Sequence, residues 1–163
     1  ENEIYTFNRG MDYDADFENF KNNLNLARHT GDEAERISLL KETVKIYKGY
    51  FVPDISDHWA ITERERFHQQ AVDAMVQLAE LQLKHGKLDD MLVTAQTLLD
   101  FEPTHEEMVC LVMRAHAASG NIVEVIQQYE QFRQVLHAEM GARPSPQTRA
   151  LFDNLTRERR VVR

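Results

Sequence analysis

A chain of 163 residues, 42% hydrophobic and 28% charged, suits one domain with its own core and excludes disorder, because its apolar residues suffice to offset the entropy of ordering. A formal net charge of −8 weighs against nucleic-acid binding by the chain itself, which would need a clustered basic footprint. No apolar run approaches the roughly 20 residues that span a bilayer, and Glu1-Asn2-Glu3 is not the basic start of a signal peptide, so a soluble cytoplasmic protein or fragment is expected.

In chain order, Ile4 to Phe7 reads as a short strand with nothing after it to pair with, so residues 1–11 are expected to be a linker or the remnant of a preceding domain. From there on, apolar residues recur at three- and four-residue spacings, with glycine or proline where each helix should stop. The first helix runs from about Ala15 to His29 with Phe17, Phe20, Leu24 and Ala27 on one face, and ends before Gly31. The second covers about Glu33 to Tyr47, with Ile37, Leu40, Val44 and Tyr47 inward. Gly49 to Ile55 is a loop rich in apolar residues (Tyr50, Phe51, Val52, Pro53) and is expected to pack under something. Ser56 or Asp57 caps a long third helix that reaches His85 before Gly86, with Trp59, Phe67, Val72, Met75 and Leu78 as its apolar line. About Leu88 to Phe101 forms a fourth helix, closed by Pro103; Thr104 starts a fifth that runs to about Ser119 before Gly120. A sixth spans about Ile122 to Met140 before Gly141. In Pro144-Ser145-Pro146 the serine is a cap and the second proline a first helical residue, opening a seventh helix that carries Leu151, Phe152 and Leu155.

These helices repeat. Gly86 and Gly120 are 34 residues apart, and Leu78, Ala79, Met91, Ala95 and Leu98 correspond at that interval to Val112, Met113, Val125, Tyr129 and Phe132. A helix–turn–helix period of this length is that of the tetratricopeptide repeat. Ala79, Ala95 and Pro103 match its small and terminal positions; Met113 and Tyr129 make the second unit looser. A weaker third copy sits around Gly31, separated from the others by the insertion that holds the Gly49–Ile55 loop. The fold expected is all-α: antiparallel helical hairpins stacked into a short superhelix, with the last helix as a cap.

Catalytic signatures are missing: there is no phosphate loop, dinucleotide fingerprint, Gly-x-Ser-x-Gly elbow or CxxC pair. Glu65-Arg66-Phe67-His68 has the Glu-x-x-His spacing of a metal ligand pair, but di-iron bundles need two on helices, and Glu102-Pro103-Thr104-His105 crosses a helix break. Solvated surface side chains account for both, so no metal, cofactor or catalytic residue is expected. His29 and His85 precede terminating glycines, where partial positive charge suits the helix dipole. Cys110, in the apolar run Met108 to Met113, reads as a buried, inert thiol in a reducing compartment. Arg157, Arg159, Arg160 and Arg163 read as a helix end and tail rather than a phosphate-binding patch.

Several stretches together resemble one family. Tyr47-Lys48-Gly49-Tyr50-Phe51-Val52-Pro53-Asp54, then Trp59-Ala60 and Glu63-Arg64-Glu65-Arg66-Phe67, are similar to the bacterial transcriptional activator domain of the antibiotic regulatory proteins of actinomycetes. So are Asp14-Ala15-Asp16-Phe17-Glu18, His85-Gly86-Lys87-Leu88, Met113 to Asn121, Tyr129 to Arg133 and Glu139 to Thr148, which extends the likeness over about residues 12–157. The resemblance implies a tetratricopeptide-like domain at 12–160, found in the family after a winged-helix DNA-binding domain or in larger regulators with an ATPase module. It implies self-association, with a homodimer as one outcome, and communication with the transcription machinery in signal transduction. DNA contact would belong to the winged helix, which this chain lacks.

In such a stack the first helices of successive units line a groove. By the 34-residue register, Asp73, Val76, Glu80 and Leu83 face the same way as Glu107, Cys110, Arg114 and Ala117. Asp73, Glu80 and Arg114 are the partner-binding candidates there, although Glu80 and Arg114 may equally pair with each other. Trp59 reads first as a core tryptophan on an otherwise solvated helix; compatibly with that, Trp59 and Arg64, beside the inserted loop, complete the set as a platform outside the regular repeat. A small-effector-sensing domain is the alternative, recognisable by an enclosed pocket with converging polar groups.

Overall fold

The computed structural model describes residues 16–47 and 58–157, with side chains given for all of them except residues 16, 17, 58–60 and 63. Among the described residues the secondary structure is entirely helical: α1 Asp16–His29, α2 Glu33–Ile46, α3 His58–Lys84, α4 Leu88–Phe101, α5 Glu106–Ala118, α6 Ile122–Met140 and α7 Pro146–Arg157. The expected strand at Ile4–Phe7, the loop at Gly49–Ile55, the Ser56 or Asp57 cap and the arginines beyond Arg157 lie outside the described residues. Helix ends fall within two residues of the sequence reading, with one change of cap. α5 is capped by His105 rather than opened by Thr104: the His105 Nδ1 accepts from the Met108 backbone N–H at 3.2 Å.

Three hairpins, α1/α2, α3/α4 and α5/α6, stack in order, and α7 closes the end. The second helix of each hairpin packs on the first helix of the next element, while α3 lies against α5 and α5 against α7. The repeat is visible in the turns. Gly86 and Gly120 both take left-handed φ values, 68° and 78°. At each turn two hydrogen bonds close the same wrap over the helix end: Lys87 N to Gln82 O and Asn121 N to His116 O, both at 2.8 Å, with Gly86 N to Leu83 O at 3.0 Å and Gly120 N to Ala117 O at 2.9 Å. This wrap needs a residue that tolerates positive φ, which is why glycine recurs there.

All five residue pairs related by the 34-residue interval are buried. They fill two clusters that share α5 as a wall: Met108, Leu111, Val112 and Ala115 face the α1–α4 side, and Val109 and Met113 face α6 and α7. Where the second unit carries bulk instead of alanine, the space is taken up by aromatic packing, with Tyr129 stacked on Phe152 of α7 at 4.0 Å between centroids. Inside the α3/α4 hairpin the buried Thr94 hydroxyl donates to Gln82 Oε1 at 2.9 Å, so the polar atoms at that crossing are mutually satisfied. At the surface, Lys41 meets Asp90 at 2.6 Å and Glu33 receives both Lys84 and His85, tying α2 to α3 and α4. Hydrogen bonds from Lys84 and then His85 hold the Glu33 carboxyl below its ordinary range. No helix among the described residues is long and apolar enough to cross a membrane.

Candidate partner-binding groove

Residues three and four apart share one side of a helix. Asp73, Val76, Glu80 and Leu83 do so on α3, and Glu107, Cys110, Arg114 and Ala117 do so on α5. The two helices are equivalent members of adjacent repeats and pack on each other, and the 34-residue register pairs the sets as rows: Asp73 with Glu107, Val76 with Cys110, Glu80 with Arg114, Leu83 with Ala117. The four charged residues are exposed, and the four between them are half-buried. The result is a shallow floor of small and apolar side chains crossed by two charged rows.

The charges of this surface are not used up inside the molecule. Among the described residues Glu80 and Arg114 form no ion pair, with each other or with a third side chain, and the same holds for Glu107. Asp73 accepts one hydrogen bond, from Gln69 Nε2 at 2.9 Å, which orients its carboxylate without neutralising it. The cations nearest to other acids behave differently, as the Lys41–Asp90, Lys84–Glu33 and Arg133–Glu130 pairs show.

One flank of the groove is set by α7. Ser145 caps that helix, its Oγ accepting from Thr148 N at 3.2 Å, and Glu106 of α5 reaches across to accept from Ser145 N at 2.7 Å. Burial pushes the Glu106 carboxyl up, but the hydrogen bonds of Thr148 and Ser145 outweigh it and the net displacement is below the ordinary 4.5. Cys110 Sγ lies 3.2 Å from Thr148 Oγ1. The thiol is half-buried rather than fully enclosed, and burial raises its pKa, with the Thr148 contact and Arg114 opposing. A raised thiol is little ionised at neutral pH, which agrees with an unreactive cysteine.

Not every expected residue joins this surface. Arg64 is half-buried on α3, nine residues before Asp73, which at about 100° per residue is half a turn away on the opposite side. The Trp59 side chain lies outside those described. Surface solvation of His68 and Glu102 is overturned. His68 is buried; its Nδ1 shares a hydrogen with the Tyr47 hydroxyl at 2.6 Å and its Nε2 meets Glu102 Oε1 at 2.6 Å. One half of each Glu-x-x-His motif therefore joins the other in a relay linking α2, α3 and the end of α4. The burial of His68, though not the identity of its partners, had a signal in the sequence, because it stands three and four residues before Ala71 and Val72, within the buried arc of α3. Among the described residues no group of three His, Cys, Asp or Glu side chains is placed to hold a metal.

The stacked hairpins define a tetratricopeptide-like module. A family model described as the bacterial transcriptional activator domain matches residues 14–156, and the chain belongs to that family. Its fold is similar to that of EmbR from Mycobacterium tuberculosis, solved in complex with a low-affinity phosphopeptide: TM-score 0.71 at 18% identity, over 88% of this chain and 39% of that one. The chain thus spans well under half the length of that regulator, and at this identity the likeness establishes the fold. No curated protein matches the chain in sequence.

Proposed function

We propose that this transcriptional activator domain is the protein-binding part of a bacterial cytoplasmic regulator. Its groove engages a second copy of the domain or a component of the transcription machinery, without cofactor or catalysis. The observation that supports this most is the set of exposed, unpaired charges on a floor of half-buried apolar residues along α3 and α5. Asp73, Glu80 and Arg114 supply the charged contacts of the groove, with Trp59 and Arg64 as a separate patch on α3. DNA recognition falls to a winged-helix domain outside this chain. The phosphopeptide in the EmbR structure fits a regulator that engages protein, although the shared fold is 39% of that chain.

The solution mass of the chain across micromolar concentrations, measured by sedimentation, tests self-association first. A dimer that weakens in Arg114→Glu and Glu80→Lys, with helix content unchanged, supports the groove as its surface. If the chain is a monomer, the same variants are compared for retention of bacterial RNA polymerase. Unaltered binding in both assays would remove the groove from the account.

A further inference from the structure

We infer that the occupant of the groove is an amphipathic helix that presents basic and apolar residues in alternation along one face. This rests on the groove reading above and adds the chemistry of the partner. Along α3 and α5 the rows succeed one another as charged (Asp73, Glu107), apolar (Val76, Cys110), charged (Glu80, Arg114) and apolar (Leu83, Ala117). The spacing within each helix is three, four and three residues, so like rows are seven residues apart, about 10 Å at 1.5 Å per residue. A helix laid along the cleft has the same rise and the same three-and-four alternation, so its side chains meet every row in step. An extended chain advances about 3.3 Å per residue and falls out of step with rows that are alternately about 4.5 and 6 Å apart.

The sign of the charges selects the occupant further. Asp73 and Glu107 are two exposed carboxylates in one row by register, on helices held together by their cores, and among the described residues neither forms an ion pair. Gln69 keeps the Asp73 carboxylate oriented. A lysine or arginine from the partner, placed on this row, meets a carboxylate on each helix. The Val76–Cys110 row then takes an apolar side chain one turn on. The Glu80–Arg114 row carries both signs and suits a neutral polar residue, and Leu83 with Ala117 takes the second apolar one.

A labelled helical peptide of about five turns, with lysine, leucine, glutamine and leucine at these four positions, is the probe, and fluorescence anisotropy with the full chain is the readout. Two control peptides differ from it singly: one has glutamate for lysine, the other a central proline that breaks the helix. We expect the lysine helix to bind at least about tenfold more tightly than either control, and raised salt to weaken it, as for an exposed charge contact. The double variant Asp73→Lys/Glu107→Lys, both at exposed positions, should invert the preference toward the glutamate peptide with an unchanged melting temperature. Equal affinity for the proline peptide, or a lysine preference that survives the double reversal, overturns the inference. The groove reading is judged separately, by whether Arg114→Glu alters dimerisation or polymerase retention.

Discussion

Replacing His68 by leucine tests the relay between the hairpins, because leucine keeps the volume and removes both ring nitrogens. The Tyr47 hydroxyl, in a residue 6% exposed, would lose its hydrogen bond to His68 at 2.6 Å, and loss of one partner of a buried hydrogen bond costs about 1–3 kcal/mol. Glu102, with its side chain 32% exposed, can turn to water, so its lost contact adds only about 0.5–1 kcal/mol. The sum, roughly 2–4 kcal/mol, is a large share of the roughly 5–15 kcal/mol that holds a domain folded. Urea unfolding of His68→Leu should show the midpoint falling with the slope unchanged. Adding Tyr47→Phe should then recover most of the tyrosine share, since removing both partners of a buried hydrogen bond is far cheaper than removing one. A double-mutant cycle gives this coupling as about 1–2 kcal/mol. Independent, additive costs for the two substitutions would refute the relay as a unit of stability.

Three further outcomes follow from the local geometry. Gly86→Ala and Gly120→Ala should each destabilise by about 1–2 kcal/mol, the cost of left-handed backbone; at Gly86 no neighbour blocks a Cβ, so asparagine there should be milder than alanine in thermal melts. His105→Ala should cost about 1 kcal/mol through loss of the α5 cap, and His105→Asn should restore it. Glu106 has a folded pKa below its ordinary 4.5, so its contribution is complete above that value and is lost as pH falls through the folded one. The melting temperature of the natural chain should therefore fall more steeply under acid than that of Glu106→Gln, and parallel curves would contradict the Glu106–Ser145 cap.

The helices were legible because their boundaries are set by local chemistry. α4 and α6 end where glycine or proline forces an end, and the 34-residue interval carries the same buried positions and the same left-handed turn in both units. The exposed faces of α3 and α5 follow from the same periodicity: Asp73, Glu80, Glu107 and Arg114 are exposed on helices whose other sides are buried. The relay was not legible. A histidine three residues after a glutamate reads as a surface pair, and nothing local shows that Glu102, in the turn after α4, returns to meet it. Whether Glu80 and Arg114 close on each other was likewise undecidable from spacing, because both are long, exposed side chains for which water competes with the pair.

α5 is packed on one side by the α1–α4 core, on another by α6, and at its start by α7 through Glu106 and Ser145. An exposed ion pair between long side chains such as Glu80 and Arg114 would return little against the rotamer entropy it costs, so water is an adequate partner for both. The same packing that makes α5 the wall of both clusters leaves its remaining face presented at a fixed spacing from α3. On the proposed reading a partner would meet a surface already ordered, losing little conformational entropy on this side, and selection between partners would rest on whether their charges and apolar residues fall in step with the rows.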